Sequence, residues 1–176
     1  MWSRVLPLLA LGGCAQIFEI ESTSKLQPDA RMAPDSGQPC IGGEAREVDP
    51  TTGSCFMYFT TPMTRDAARS VCSGFGPTAH LAIIKSASEN ALVARLIGMD
   101  HAFIGASDDV TEGTFLWDDG TPFQLTNWNP GEPNDAGANE DCVEIVGAAA
   151  GKWNDVPCAP TPTNTLGSYS FVCQRD

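Results

Sequence analysis

The stretch from Asn127 to Asp155 restricts the fold of this chain more than any other part. It reads N-W-N-P-G-E-P-N-D-A-G-A-N-E-D-C-V-E-I, then a tip of small residues, then K-W-N-D. Pro130, Gly131, Pro133 and Gly137 interrupt both the helical and the strand period, so most of the stretch reads as loop. The loop is dense in oxygen side chains: Glu132, Asn134, Asp135, Asn139, Glu140 and Asp141, with Asn154 and Asp155 downstream. Trp128 and Trp153 bracket it. Carboxylates crowded on a stiff loop repel one another unless a hard cation lies between them, and calcium takes about 6–8 oxygen ligands of these types.

The charge distribution sharpens this reading. No Lys or Arg occurs between Arg95 and Lys152, yet 11 of the chain's 22 acids fall there. A solvated acidic face is the ordinary fate of such a run. Pro, Gly and Trp at these close intervals argue for a built cation site instead. The two histidines, His80 and His101, are too few and too scattered for a zinc centre and read as ordinary loop or strand-edge residues. A net charge of −12 disfavours nucleic acid and anionic membrane surfaces as electrostatic partners.

Seven cysteines in 176 residues indicate an oxidising compartment. At the N-terminus, Arg4 and the short apolar run Val5 to Leu11 read as a targeting segment, too short to span a bilayer. L-G-G-C at 11–14 resembles a bacterial lipobox, with an ordinary signal peptide and a stray cysteine as the alternative. The expectation is a lipoprotein signal peptide over 1–13, then a lipidated Cys14 and a Pro- and Ser-containing tether over 14–39. The folded domain then occupies 40–176, exported and lipid-anchored at the cell envelope, outer membrane or cell surface.

Within that domain the pattern is α+β. Cys40 to Cys55 encloses turn signals and suggests a small hairpin. Cys55 to Thr60 reads as a strand. A first helix follows the N-cap Thr64, with Ala67, Ala68, Val71 and Cys72 as its buried stripe. Leu81, Ile83 and Ile84 suggest a short connecting strand. A second helix starts at Ser86, with Glu89 completing a capping box, Leu92, Val93, Leu96 and Ile97 giving its period, and Gly98 its stop. Strands are predicted at Phe103 to Ala106, Cys142 to Val146, Lys152 to Trp153 and Tyr169 to Cys173, and a turn at Asp118 to Gly120.

In this order, the residues from Cys40 to Gln174 resemble a C-type lectin domain of the long form. H-L-A-I-I-K-S-x-x-E-N at 80–90, F-I-G-A at 103–106, E-P-N at 132–134, E-D-C-V at 140–143, W-N-D at 153–155 and F-V-C at 171–173 carry the likeness. Six cysteines alone leave 15 pairings open. The resemblance implies Cys40–Cys55, Cys72–Cys173 and Cys142–Cys158, which leaves Cys14 free to carry lipid. It also implies a sugar-binding calcium held by Glu132, Asn134, Glu140, Asn154 and Asp155. A second, auxiliary calcium would use Asp108, Glu112, Asp135 and Asp141. Pro133 is expected to be cis, and the two tryptophans to pin the loop. Phe103 and Ala106 depart from the family's usual Trp and Leu, and 159–168 is longer than usual between the last two cysteines.

By the same resemblance, two vicinal hydroxyls of a glycan or polysaccharide would replace water on calcium. The Glu-Pro-Asn order goes with equatorial diols of mannose, N-acetylglucosamine and fucose type. A protein-binding module with purely structural calcium is the alternative, and a calcium-stabilised surface protein without a soluble ligand is another. An enzyme is disfavoured by the lack of a nucleophile–base motif or a histidine cluster. Oligomeric state is not legible.

Overall fold

The structure is a computed structural model and describes residues 39–160 and 167–176. The expected signal peptide, Cys14, nearly all of the expected tether and most of the 159–168 segment lie outside the described residues. Strand β1 (Ala45–Val48) and β2 (Cys55–Met63) form the hairpin closed by Cys40–Cys55. Helix α1 (Arg65–Ser73) and strand β3 (Ala79–Leu81) follow, then α2 (Ala87–Ile97), β4 (His101–Ser107) and β5 (Leu116–Trp117). After the long loop come β6 (Cys142–Val146), β7 (Lys152–Val156) and β8 (Tyr169–Arg175). The spatial order is β1-β2-β8-β4-β6-β7, with β3 on β8 and β5 on β4. Only the β4–β8 pair is parallel among the described strands.

The strands alternate between two apolar layers. Phe56, Tyr58, Ile104, Val143, Ile145 and Val172 face the layer that holds Leu92, Val93 and Ile97 of α2. Met57, Phe103, Phe171 and Cys173 face the layer that holds Ala68 and Cys72 of α1. The central strands are therefore buried on both sides, which is why they read as near-continuous apolar runs. All three disulfides occur in the pairing the family resemblance implies, with Cα separations of 5.5, 5.2 and 5.1 Å. Cys72–Cys173 joins α1 to β8 across 101 residues, and closing a loop of that length stabilises by about 4–5 kcal/mol on the chain-entropy account.

The helix caps follow the sequence. Thr64 accepts from Ala67 N, and Ser86 Oγ accepts from Glu89 N at 3.2 Å while Glu89 reaches back to Lys85 N at 2.8 Å. Gly98 ends α2 with φ 67°. Two expectations need correction. Ala67 is exposed and Arg65 is buried in its place, because 65, 68 and 72 lie on one helical face and the Arg65 guanidinium pairs with Asp118. The connecting strand ends at Leu81: from Ala82 onward the backbone leaves the ladder. Ala82 N still donates to Val172 O at 2.8 Å, but Ile83 N donates to the Gln174 side chain at 2.9 Å. Gly105 is needed where β4 crosses this segment, since a Cβ there would lie 2.7 Å from Leu81 O.

Candidate functional site

The long loop stands on an aromatic root. Trp153 is fully buried, and its indole Nε1 donates to Asn90 Oδ1 at 2.8 Å. Trp117, Phe123 and Trp128 lie edge-on to it with ring centroids 5.5–6.0 Å away. Asn129 N donates to Trp153 O at 2.8 Å and Trp153 N to Asn127 O at 2.9 Å, so the start of the loop is laced to β7. Burial and these contacts make both bracketing tryptophans anchors of the loop.

Above this root eight of the nine predicted ligands form two adjoining groups, and the ninth, Asn154, is engaged with Glu144. Asp155, 1% exposed, accepts Asn134 N through both oxygens and Asp135 N at 2.7 Å. The Glu132–Pro133 peptide is cis, and the Asn134 amide donates to Glu132 Oε2. Glu140 accepts Ala136 N at 2.8 Å and donates its own N–H to Asp135 Oδ1 at 3.2 Å. These bonds bring Glu132, Asn134, Asp135, Glu140 and Asp155 into one knot. Asn154, one residue before Asp155 on β7, turns its Nδ2 to Glu144 Oε1 at 3.1 Å.

In the second group, one carboxylate oxygen from each of Asp108, Glu112 and Asp141 lies within 4.8 Å of the others. Asp108 N donates to Asp141 O at 3.1 Å, and Gly113 N donates to Asp108 Oδ2 at 2.8 Å. Asp108 Oδ1 is buried without a hydrogen-bond partner. A cleft of about 230 Å³, lined by Asp108, Glu112, Asn134, Asp135 and Asp155 among others, joins the two groups.

The electrostatics agree. Burial pushes the Asp108 carboxyl up, opposed by the Gly113 N–H and reinforced by the charges of Asp141 and Asp155. Glu132 is raised by burial and then by Asp155 and Glu140, and Glu140 by burial and then by Asp155, Asp135 and Glu144. Glu112 is raised by loss of water and then by Asp108, Asp135 and Asp141. The Lys and Arg ion pairs among the described residues lie elsewhere, joining Arg65 and Arg69 to Asp118, Lys85 to Asp119 and Arg95 to Glu47. An oxygen-only donor set, mutual repulsion and one orphaned carboxylate oxygen fit a hard divalent cation such as calcium.

A profile of the Lectin C-type domain matches residues 61–175, more than half of the chain. The chain belongs to the C-type lectin family. This family is a non-enzymatic carbohydrate-binding module that typically binds calcium. The rat (Rattus norvegicus) versican core protein is 40% identical over 122 residues, 69% of this chain but 4% of versican, so the chain spans a small part of that relative. The crystal structure of the cow CD23 carbohydrate-recognition domain, in the presence of a GlcNAc2Man3 oligosaccharide, superposes with TM-score 0.63. It is 30% identical and covers 77% of this chain and 95% of that one. A calcium-independent type II antifreeze protein superposes equally, at TM-score 0.63 and 27% identity, covering 77% of this chain and 94% of its own.

One residue in contact with the predicted ligands is not singled out by the sequence. Glu144 was legible only as one acid among many. Its signal lay in the β6–β7 register, which pairs Glu144 with Asn154 across the hairpin.

Proposed function

We propose that this C-type lectin domain binds carbohydrate through calcium, with a preference for equatorial vicinal diols of mannose, N-acetylglucosamine or fucose type. The observation that carries the reading is the Asp155 knot, which presents the Glu132 and Asn134 side chains side by side. A bound calcium would supply a Lewis-acidic centre able to take a sugar's hydroxyls as ligands. Glu132, Asn134, Glu140, Asn154 and Asp155 would hold that ion, and Asp108, Glu112, Asp135 and Asp141 an auxiliary one. The Glu132 carboxylate would accept from one hydroxyl and the Asn134 amide would donate to the other. A single shallow site of this kind binds a monosaccharide near millimolar, about −4 kcal/mol, so useful affinity comes from many copies meeting a polysaccharide.

Such copies are supplied, on this reading, by export and lipid anchoring at Cys14, with residues 14–39 as the tether at the cell envelope or surface. No helix among the described residues is long and apolar enough to cross a membrane. A glycan array run with calcium and with chelator tests the function: calcium-dependent signals confined to mannose-type glycans are expected. The second reading is a protein-binding module in which calcium is only structural. The calcium-independent antifreeze protein on the same fold supports the point that this fold alone does not imply calcium-mediated sugar binding, and binding unaffected by sugar competitors would establish the second reading.

A further inference from the structure

We infer that Glu144 is a positioning residue for the calcium site, fixing which end of the Asn154 amide faces the ion. The inference rests on Asn154 being a calcium ligand, as proposed above. An asparagine amide offers one oxygen and one nitrogen of nearly equal size, and only the oxygen can ligate a cation. The amide must therefore be held in one of two orientations.

Glu144 supplies that hold. It faces Asn154 directly across the β6–β7 hairpin and is 3% exposed. Its Oε1 accepts from Asn154 Nδ2 at 3.1 Å. Its Oε2 lies 3.0 Å from His101 Nδ1 at the start of β4, which braces the carboxylate from the other side. The Asn154 amide and, in its Nδ1–H tautomer, the His101 ring both meet one buried carboxylate, which when ionised can only accept. With the Asn154 nitrogen engaged, the oxygen is the end left for the ion. Hydrogen-bond partners of this kind typically hold about 10–100-fold of metal affinity when they orient a ligand.

Calcium titration calorimetry on the purified full-length protein tests this. Glu144→Met, which removes the acceptor, is expected to weaken calcium binding about 10–100-fold, and Glu144→Gln, whose amide oxygen can still accept, markedly less. Asn154→Asp sets two carboxylates against each other and should weaken binding in the native background. In the Glu144→Gln background the new amide can donate to the new carboxylate, and the loss should shrink about tenfold or more. A purely structural Glu144 would give equal Asn154→Asp losses in both backgrounds, and that result would overturn the inference. So would native-like affinity in Glu144→Met. If Glu144→Met does not fold, the Asn154→Asp pair decides alone. A wild-type protein that takes up no calcium would remove the calcium reading itself, and this inference with it. Calcium uptake that is merely insensitive to Glu144 removes only the inference.

Discussion

Asn134 donates its main-chain N–H to both carboxylate oxygens of Asp155, 21 residues further along the chain, at 3.1 and 2.9 Å. Asp155 thus shapes the loop as well as offering oxygens to a cation. Asp155→Ala should lose calcium and sugar together. It should also lower stability in chelator by at most about 1–3 kcal/mol, since the N–H groups of Asn134 and Asp135 lose a charged acceptor in a part-buried site while Glu132 and Glu140 lose a repelling neighbour. Denaturant melts in chelator and calcium titrations, read on the same preparation, check both halves.

Calcium should stabilise the domain, by about 2.7 kcal/mol when the free ion is at a hundredfold excess over its dissociation constant. An unchanged melting temperature on chelation would remove the calcium reading.

The pH response should change sign with calcium. Asp108, Glu132 and Glu140 are held above their ordinary values in the folded chain. Without calcium the folded state then binds more protons than the unfolded state between those two values. Stability therefore falls as pH rises through the raised folded values and improves on mild acidification. With saturating calcium the same protonation expels the ion, so mild acid should destabilise. Melting temperatures from neutral pH down to the ordinary carboxylate range, with and without chelator, should diverge in slope.

At the alkaline end, the two tyrosines act as reporters. Tyr58, bonded to Asp100 at 2.5 Å, and Tyr169 are both pushed up to about 12, first by burial. Both contribute stability that is complete below the unfolded tyrosine value, about 10, and is lost as pH rises toward 12. Phenolate absorbance should appear together with loss of the near-ultraviolet circular dichroism signal. Phenolate forming in a fully folded protein at pH about 10 would contradict this.

Specificity should turn on the order of acceptor and donor at Glu132 and Asn134. Glu132→Gln with Asn134→Asp keeps the local charge and nearly the volume. Retention should move from mannose-agarose toward galactose-agarose in calcium, incompletely, since neighbouring residues also exclude the wrong sugar. Equal retention of both proteins on mannose would show that these side chains do not read the sugar.

Anchoring is tested by intact mass. The wild-type protein should carry lipid on Cys14 as its first residue, and Cys14→Ser should leave the membrane fraction. An unmodified Cys14 ends the lipoprotein reading.

Much of the fold could be read from local chemistry. Caps at Thr64 and Ser86, the stop at Gly98 and the small-residue tip between β6 and β7 are decided within a few residues of sequence. The β7 strand runs further than its apolar residues suggest: it continues past Trp153 to Val156, because the polar Asn154 and Asp155 stay in the ladder opposite Glu144 and Val143. The burial of Arg65 was not legible, since its partner Asp118 lies 53 residues away. The ligand types were legible because calcium needs oxygen atoms of recognisable residues. The residue that orients one of them was not, because Glu144 acts across a hairpin whose register only the folded sheet fixes.

The Cys40–Cys55 bridge also decides how the domain carries tension. Cys40 is covalently joined to the first residue of β2. A pull arriving along the chain from residue 39 passes through that sulfur bridge into Cys55 and so enters β2 directly. Residues 41–54, with the whole of β1, lie in a slack loop outside the path of the force. From β2 the strain meets β8 in shear, along a ladder running from Cys55–Arg175 to Phe59–Phe171, and β8 is itself bolted to α1 through Cys72–Cys173. The β1 hairpin therefore lies off the covalent path by which a load on residue 39 reaches the sheet.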